Sequence, residues 1–181
     1  MMTQTESEYK EVIALCKDVF EKKTKDYGTA WRILRLPSIT DQLFIKAQRI
    51  RSIQEKGTQK IEEDIKNEFI GIINYSIIAI IQESLDENAP LEISAEDLMP
   101  KYQAVADESL ALLLDKNHDY DEAWRDMRIS SITDIILMKL YRVKQIEDNK
   151  GKTLISEPVK ANYQDMINYA VFCLIKLKEE K

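Results

Sequence analysis

Asp165 and Asn168 stand three residues apart in NYQDMINYAVFCLIKL, residues 162–177, a stretch that is otherwise apolar nearly all round. On a helix, three residues turn through about 300°, so the two side chains lie about 60° apart on one face. A carboxylate on a buried helix is costly unless it is paired, hydrogen-bonded or bound to a cation. One reading is a hydrogen-bond network that fixes helix packing. The other is a metal or nucleotide site. Glu157 lies two turns earlier and can share that face. Carboxylates without His or Cys suit Mg²⁺ or Mn²⁺.

A second set of groups precedes this stretch. Asp134, Tyr141 and Arg142 fall on one broad helical face, with Lys139 at its flank. Asp134 is either a helix-capping residue or the third member of a metal set with Asp165 and Glu157. Asp119 and Tyr120 open a loop-like segment that continues through Trp124 and Arg125. Asp119 either caps the short helix that follows or enters a cleft. Trp124, like its counterpart Trp31, is read as core or pocket wall ahead of a stacking surface for a ligand, and Arg125 as a phosphate fork or a structural ion-pair partner.

These groups are written twice. Asp26–Asp41 and Asp119–Asp134 share Asp, Tyr, Ala, Trp, Arg, Arg, Ser, Ile, Thr and Asp at matching places. The correspondence runs on through Lys46/Lys139 and Arg49/Arg142. After one inserted residue it reaches Gly57/Gly151, Glu63/Glu157, Asn74/Asn168 and Tyr75/Tyr169. So large a repeat, present twice, indicates duplication of half a domain. The copies differ where Asp165 of the second faces Gly71 of the first. The second repeat is therefore expected to carry the fuller site. The first keeps Asp26, Trp31, Asp41, Lys46, Arg49, Glu63 and Asn74 as a degenerate or binding-only copy. His118 is matched by Lys25, so an obligatory imidazole is not expected.

The elements that must position these residues read as helices. The chain has 181 residues, 44% of them apolar and 32% charged, with only four Gly and four Pro. That composition suits one soluble, helix-rich domain. Apolar spacing predicts a helix over about Tyr9–Lys25. A short helix follows near Ala30–Leu34, ended by Pro37. The next helices run over about Asp41–Gln54, with Thr40 or Asp41 as cap, and about Glu62–Leu85. The acidic segment 86–100 reads as a connector. The second repeat, 101–181, copies the plan with helices over about Lys101–Lys116, Thr133–Glu147 and Glu157–Lys178, the last started by Ser156. The expectation is an all-α bundle, a single domain 1–181 in which repeats 9–85 and 101–181 pack about a pseudo-two-fold axis.

A net charge of −6 argues against duplex nucleic acid as main partner. No apolar run reaches a membrane span. The start, MMTQTESEYK, lacks a signal-peptide core. Cys16 and Cys173 read as reduced core thiols of a cytoplasmic protein. The long apolar helix around Phe69–Ile81 is either internal or partly at a homodimer interface.

The motifs DYGxAWR…SITD, the K-x-x-R helix, the Lys-Gly turn and Y-x-D-M-x-N-Y-A resemble a bacterial and phage domain family of unknown function. It has been called a nucleotide-modification-associated domain. A weaker resemblance is to the MazG- and dUTPase-like all-α NTP pyrophosphatases, in which acidic residues on adjacent helices hold Mg²⁺. This chain departs from that pattern, with Asn168 for the final Asp and no E-x-x-E on the Asp134 helix. The resemblance implies a nucleotide or nucleoside phosphate as ligand. Asp165, Glu157, Asp134 and Asp119 would then do metal and acid–base work. Lys139, Arg142 and Arg125 would meet phosphate, and Asn168, Trp124 and Tyr120 would orient the ligand. Three functions stay open: a metal-dependent nucleotide pyrophosphohydrolase, a non-catalytic nucleotide-binding module, and a helical scaffold or oligomerisation module.

Overall fold

The computed structural model describes residues 1–57, 61–120, 122–155 and 158–180, with the side chains of 61–63 and 118–120 outside that description. The fold is all-α. Helices α1 (Gln4–Tyr27), α2 (Leu36–Lys56) and α3 (Ile61–Ser84) form the first repeat. Helices α4 (Ala95–Tyr120), α5 (Ile129–Asp148) and α6 (Val159–Glu179) form the second. A single 3₁₀ turn follows α1 at Ala30–Ile33 and α4 at Ala123–Asp126. No described helix is long and apolar enough to cross a membrane.

The apolar runs decide the layers. α3 and α6, the most apolar of the helices, pack on each other at the pseudo-two-fold axis. α2 packs on α3, α5 on α6, and α2 meets α5 across the axis. α1 and α4 also pair across the axis, and each additionally contacts the central helix of the other repeat. The core is continuous through both repeats, with Tyr9, Tyr102, Phe69 and Tyr163 among its largest fully buried side chains. Cys16 and Cys173 are buried free thiols within it. Burial pushes the Cys16 thiol up to about 12, so it stays protonated and unreactive.

Several boundaries differ from the sequence expectation. α1 begins at Gln4, where the Thr3 hydroxyl accepts a hydrogen bond from the Glu6 amide at 3.1 Å. Pro37 does not end an element. It occupies the first turn of α2, where its missing N–H costs nothing, and α2 therefore starts at Leu36. Thr40 is accordingly inside α2 and buried, not a cap. α4 begins at Ala95, with Pro100 inside it, so the connector is shorter than expected. α1 and α4 run on through Tyr27 and Tyr120, which puts Asp26 and Asp119 in helix ends. The Lys-Gly stop is as expected: Gly57 adopts φ 64° and ψ 31°, and its N–H donates to the Ile53 carbonyl at 3.1 Å. The proposed start at Ser156 lies outside the described residues.

Candidate functional site

Asp165 is where the sequence placed the costly charge, and the chain supplies its compensation. Its side chain is 8% exposed. Lys116 of α4 donates to Oδ1 and Lys139 of α5 donates to Oδ2, each at 2.9 Å. Each carboxylate oxygen thus has its own ammonium, the arrangement that offsets desolvation of a buried charge. Lys139 was among the expected phosphate ligands; here it faces Asp165 from α5. Lys116 was not singled out. Its signal was present, because Lys23 and Lys116 stand at matching positions, three residues before Asp26 and Asp119.

Asn168 and its counterpart Asn74 lock the repeats together. The Tyr9 hydroxyl donates to Asn168 Oδ1 at 2.7 Å, and the Asn168 amide donates to the Ser109 carbonyl at 3.0 Å. Tyr102 donates to Asn74 Oδ1 at 2.7 Å, and Asn74 donates to the Cys16 carbonyl at 3.0 Å. Each asparagine is therefore gripped by the tyrosine of the other repeat. All four side chains are buried. Burial also raises both phenol pKa values, keeping them hydrogen-bond donors.

Asp134 is not brought to Asp165. Five residues from Lys139 correspond to about 140° of helix rotation, so the two point apart. Asp134 is 60% exposed and meets Arg51 of α2 at 3.6 Å. Its counterpart Asp41 meets Lys144 of α5 at 3.2 Å. The repeated aspartates thus make matched ion pairs across the α2/α5 contact. Arg142 is exposed one turn beyond Lys139. Its counterpart Arg49 meets Glu68 at 2.5 Å and Asp64 at 3.9 Å.

Two arginines of the repeated segments, Arg125 and Arg32, tie the molecule together. Arg125 donates to Glu8 and Glu122 at 2.9 Å, to Thr5 at 3.0 Å and to Glu179 at 3.2 Å. Burial works against its charge, but the bonds to Glu8 and Glu122 outweigh that and raise its pKa. Arg32 donates to Gln82 and to the Ala89 and Pro90 carbonyls, fastening the connector. Trp124 is buried, stacked on Phe172 at 4.2 Å between centroids and 3° between planes, with Arg125 over its ring at 4.4 Å. Asp26 is exposed at the end of α1. Glu157, and the side chains of Asp119, Tyr120 and Glu63, lie outside the described residues.

These contacts bear on the expected Mg²⁺ or Mn²⁺. Among the described residues no three His, Cys, Asp or Glu side chains gather as a cation cradle. Asp165, the central expected ligand, already has an ammonium on each oxygen.

Among the described residues one cleft, of about 590 Å³, lies between α1 and α6 and is lined mainly by apolar and acidic side chains such as Val12, Leu15, Leu174, Glu8 and Glu11; another lies within repeat one. This second cleft, of about 660 Å³, is bounded by α1, the first 3₁₀ turn, α2 and α3. Trp31, Tyr75 and Tyr27 supply aromatic wall, Lys23 and Lys46 supply positive charge, and Asn67, Asn74 and Thr24 add polar atoms. Gly71 sits in its floor, where a Cβ would come within 2.9 Å of Lys46 Cδ. The Lys46 stem can lie there because no side chain occupies that floor. Lys46 Nζ is 5.5 Å from the Tyr75 ring centroid and 3.7 Å from Glu68. In repeat two the Gly71 position is Asp165, and the Ile78 position is Phe172, which stacks on Trp124. The expectation that repeat two holds the fuller site rested on Asp165 alone. The same carboxylate, bonded to its lysines, stands at the position where Gly71 has no side chain and Lys46 lies over it.

The family model described as nucleotide modification associated domain 1 matches residues 23–82 and 116–177, one segment in each repeat. No curated protein and no solved structure matches the chain.

Proposed function

The chain belongs to the nucleotide modification associated domain 1 family, and on that footing we propose that it binds a nucleoside phosphate in the cleft of repeat one. The observation that carries this is the meeting of an aromatic wall (Trp31, Tyr75, Tyr27) with two lysines (Lys23, Lys46) around about 660 Å³. That volume is within the range of small-molecule sites, about 300–1,000 Å³. An aromatic face suits a base, since every base has a π-face to stack. Lysine suits phosphate as a point charge. Lys46 lies along the floor between Tyr75 and Glu68, so an anion that enters can draw its ammonium away from Glu68.

Metal-dependent pyrophosphohydrolysis draws on Asp165, Glu157, Asp134 and Asp119. The described geometry supports it less, because Asp165 is neutralised within the chain and Asp134 pairs with Arg51. The scaffold reading accounts well for Asn74, Asn168, Arg32 and Arg125, yet gives no role to the cleft.

A thermal-shift panel of canonical and modified nucleotides separates these readings. Binding to the folded state raises the melting temperature with ligand concentration. The expected result is a concentration-dependent rise with at least one nucleotide, with or without Mg²⁺, and no release of pyrophosphate. Turnover with Mg²⁺ or Mn²⁺ that is lost in Asp165→Ala would establish the hydrolase instead. No shift with any nucleotide would leave the scaffold.

A further inference from the structure

We propose that Asp165 is a built-in occupant of the second repeat's cleft, and that its carboxylate marks where the acidic group of a ligand sits in the first. The inference rests on the binding reading above and adds the place and the chemical class of the recognised group. In repeat two, Lys116 and Lys139 converge on one carboxylate, each at 2.9 Å. Their counterparts Lys23 and Lys46 both line the repeat-one cleft, where Gly71 stands in place of Asp165. The same pair of cations is thus present twice, once with a covalently attached anion and once beside a glycine that brings no anion. A phosphate monoester has the charge and the acceptor oxygens to complete the second arrangement.

The repeat-one lysines are not without local competition. Glu68, one turn before Gly71, lies 3.7 Å from Lys46 but 2.5 Å from Arg49. Arg49 therefore holds Glu68 more closely, and Lys46 is the member able to turn to a ligand. A glycine inside a helix costs about 1 kcal/mol relative to alanine. Here it makes room for the Lys46 stem, since even a Cβ would meet Lys46 Cδ at 2.9 Å.

The test is calorimetric titration of the full chain with the four deoxynucleoside 5′-monophosphates and their parent deoxynucleosides. Wild type is expected to bind one monophosphate per chain, at least tenfold tighter than the matching nucleoside. Gly71→Asp installs the repeat-two anion and is expected to weaken that binding at least tenfold while the helical circular-dichroism signal is kept. Glu68→Gln is expected to tighten it. Asp165→Gly is expected to open a second anion position beside Lys116 and Lys139 and to raise the stoichiometry of inorganic phosphate towards two, while Phe172 still covers Trp124. If Asp165→Gly does not fold, Gly71→Asp decides alone. Unchanged monophosphate affinity in folded Gly71→Asp overturns the inference but leaves nucleotide binding intact. Absence of binding to wild type by any monophosphate overturns both.

Discussion

At the scale of single residues, charge placement separates side chains that hold the fold from side chains left facing a cleft. Asp165 is the clearest case of the first kind. Asp165→Ala leaves Lys139, 14% exposed, without its carboxylate partner. Removing one partner of a buried pair costs about 3–5 kcal/mol. Because Lys116 is 49% exposed, the lower end is expected, read as loss of stability in urea unfolding. Glu147 makes a different prediction. The Tyr163 hydroxyl lies 2.7 Å from Thr40 Oγ1, and Thr40 donates to Glu147 at 2.9 Å. Burial raises the Glu147 pKa; Asp41 and Asp148 add to the rise, while the Thr40 bond and Lys144 oppose it. The folded state thus holds this proton more tightly than the unfolded chain. The contribution favours folding below the ordinary carboxylate range and is lost as pH rises through the raised folded value. In repeat one the matching residue is Gln54, whose amide donates to Thr133 at 3.2 Å. Glu147→Gln should therefore raise the melting temperature at pH 7 by about 1–3 °C, a fraction of a kcal/mol in a half-buried, partly screened site. The gain should vanish near pH 4. A constant gain across that pH range would contradict the assignment.

At the scale of elements, the crossed tyrosine–asparagine bonds make the packing of α1 on α6 and of α4 on α3 specific. Tyr9→Phe and Tyr102→Phe each leave a buried amide oxygen without its donor. Each should cost about 1–3 kcal/mol by denaturant titration. Equal and small losses, below about 0.3 kcal/mol, would show that the bonds do not hold the repeats. Much of this level was legible in the sequence. The helices, the Lys-Gly stop at Gly57 and the duplication followed from apolar period, turn chemistry and matched spacing. The start of α2 was not, because Pro37 ends one helix or begins another with equal local propriety. The site was legible only in part. Asp165 announced itself as a carboxylate on an apolar helix. Its partner Lys116 sat on another helix 49 residues away, a separation no helical period reveals. Asp134 looked catalytic because it recurred, yet recurrence preserved an ion pair across the α2/α5 contact. Gly71 looked like a loss, and only the Lys46 side chain lying over it shows what the missing side chain makes room for.

At the scale of the whole molecule, duplication has produced two similar halves with different interiors. One is closed by Asp165 between its lysines and by Phe172 on Trp124. The other keeps Trp31, Lys23 and Lys46 around a cleft of about 660 Å³. A shared core and reciprocal tyrosines let the closed half support the open one, so the pair is expected to unfold in one transition. The central claim is that the open half binds a nucleoside phosphate. Equilibrium titration of wild type, Trp31→Ala and Lys46→Met with the nucleotide giving the largest thermal shift tests it most directly. The account predicts one site per chain in wild type and at least tenfold weaker binding in each variant, with both variants folded. Undiminished one-to-one binding in both would place the ligand elsewhere and contradict it.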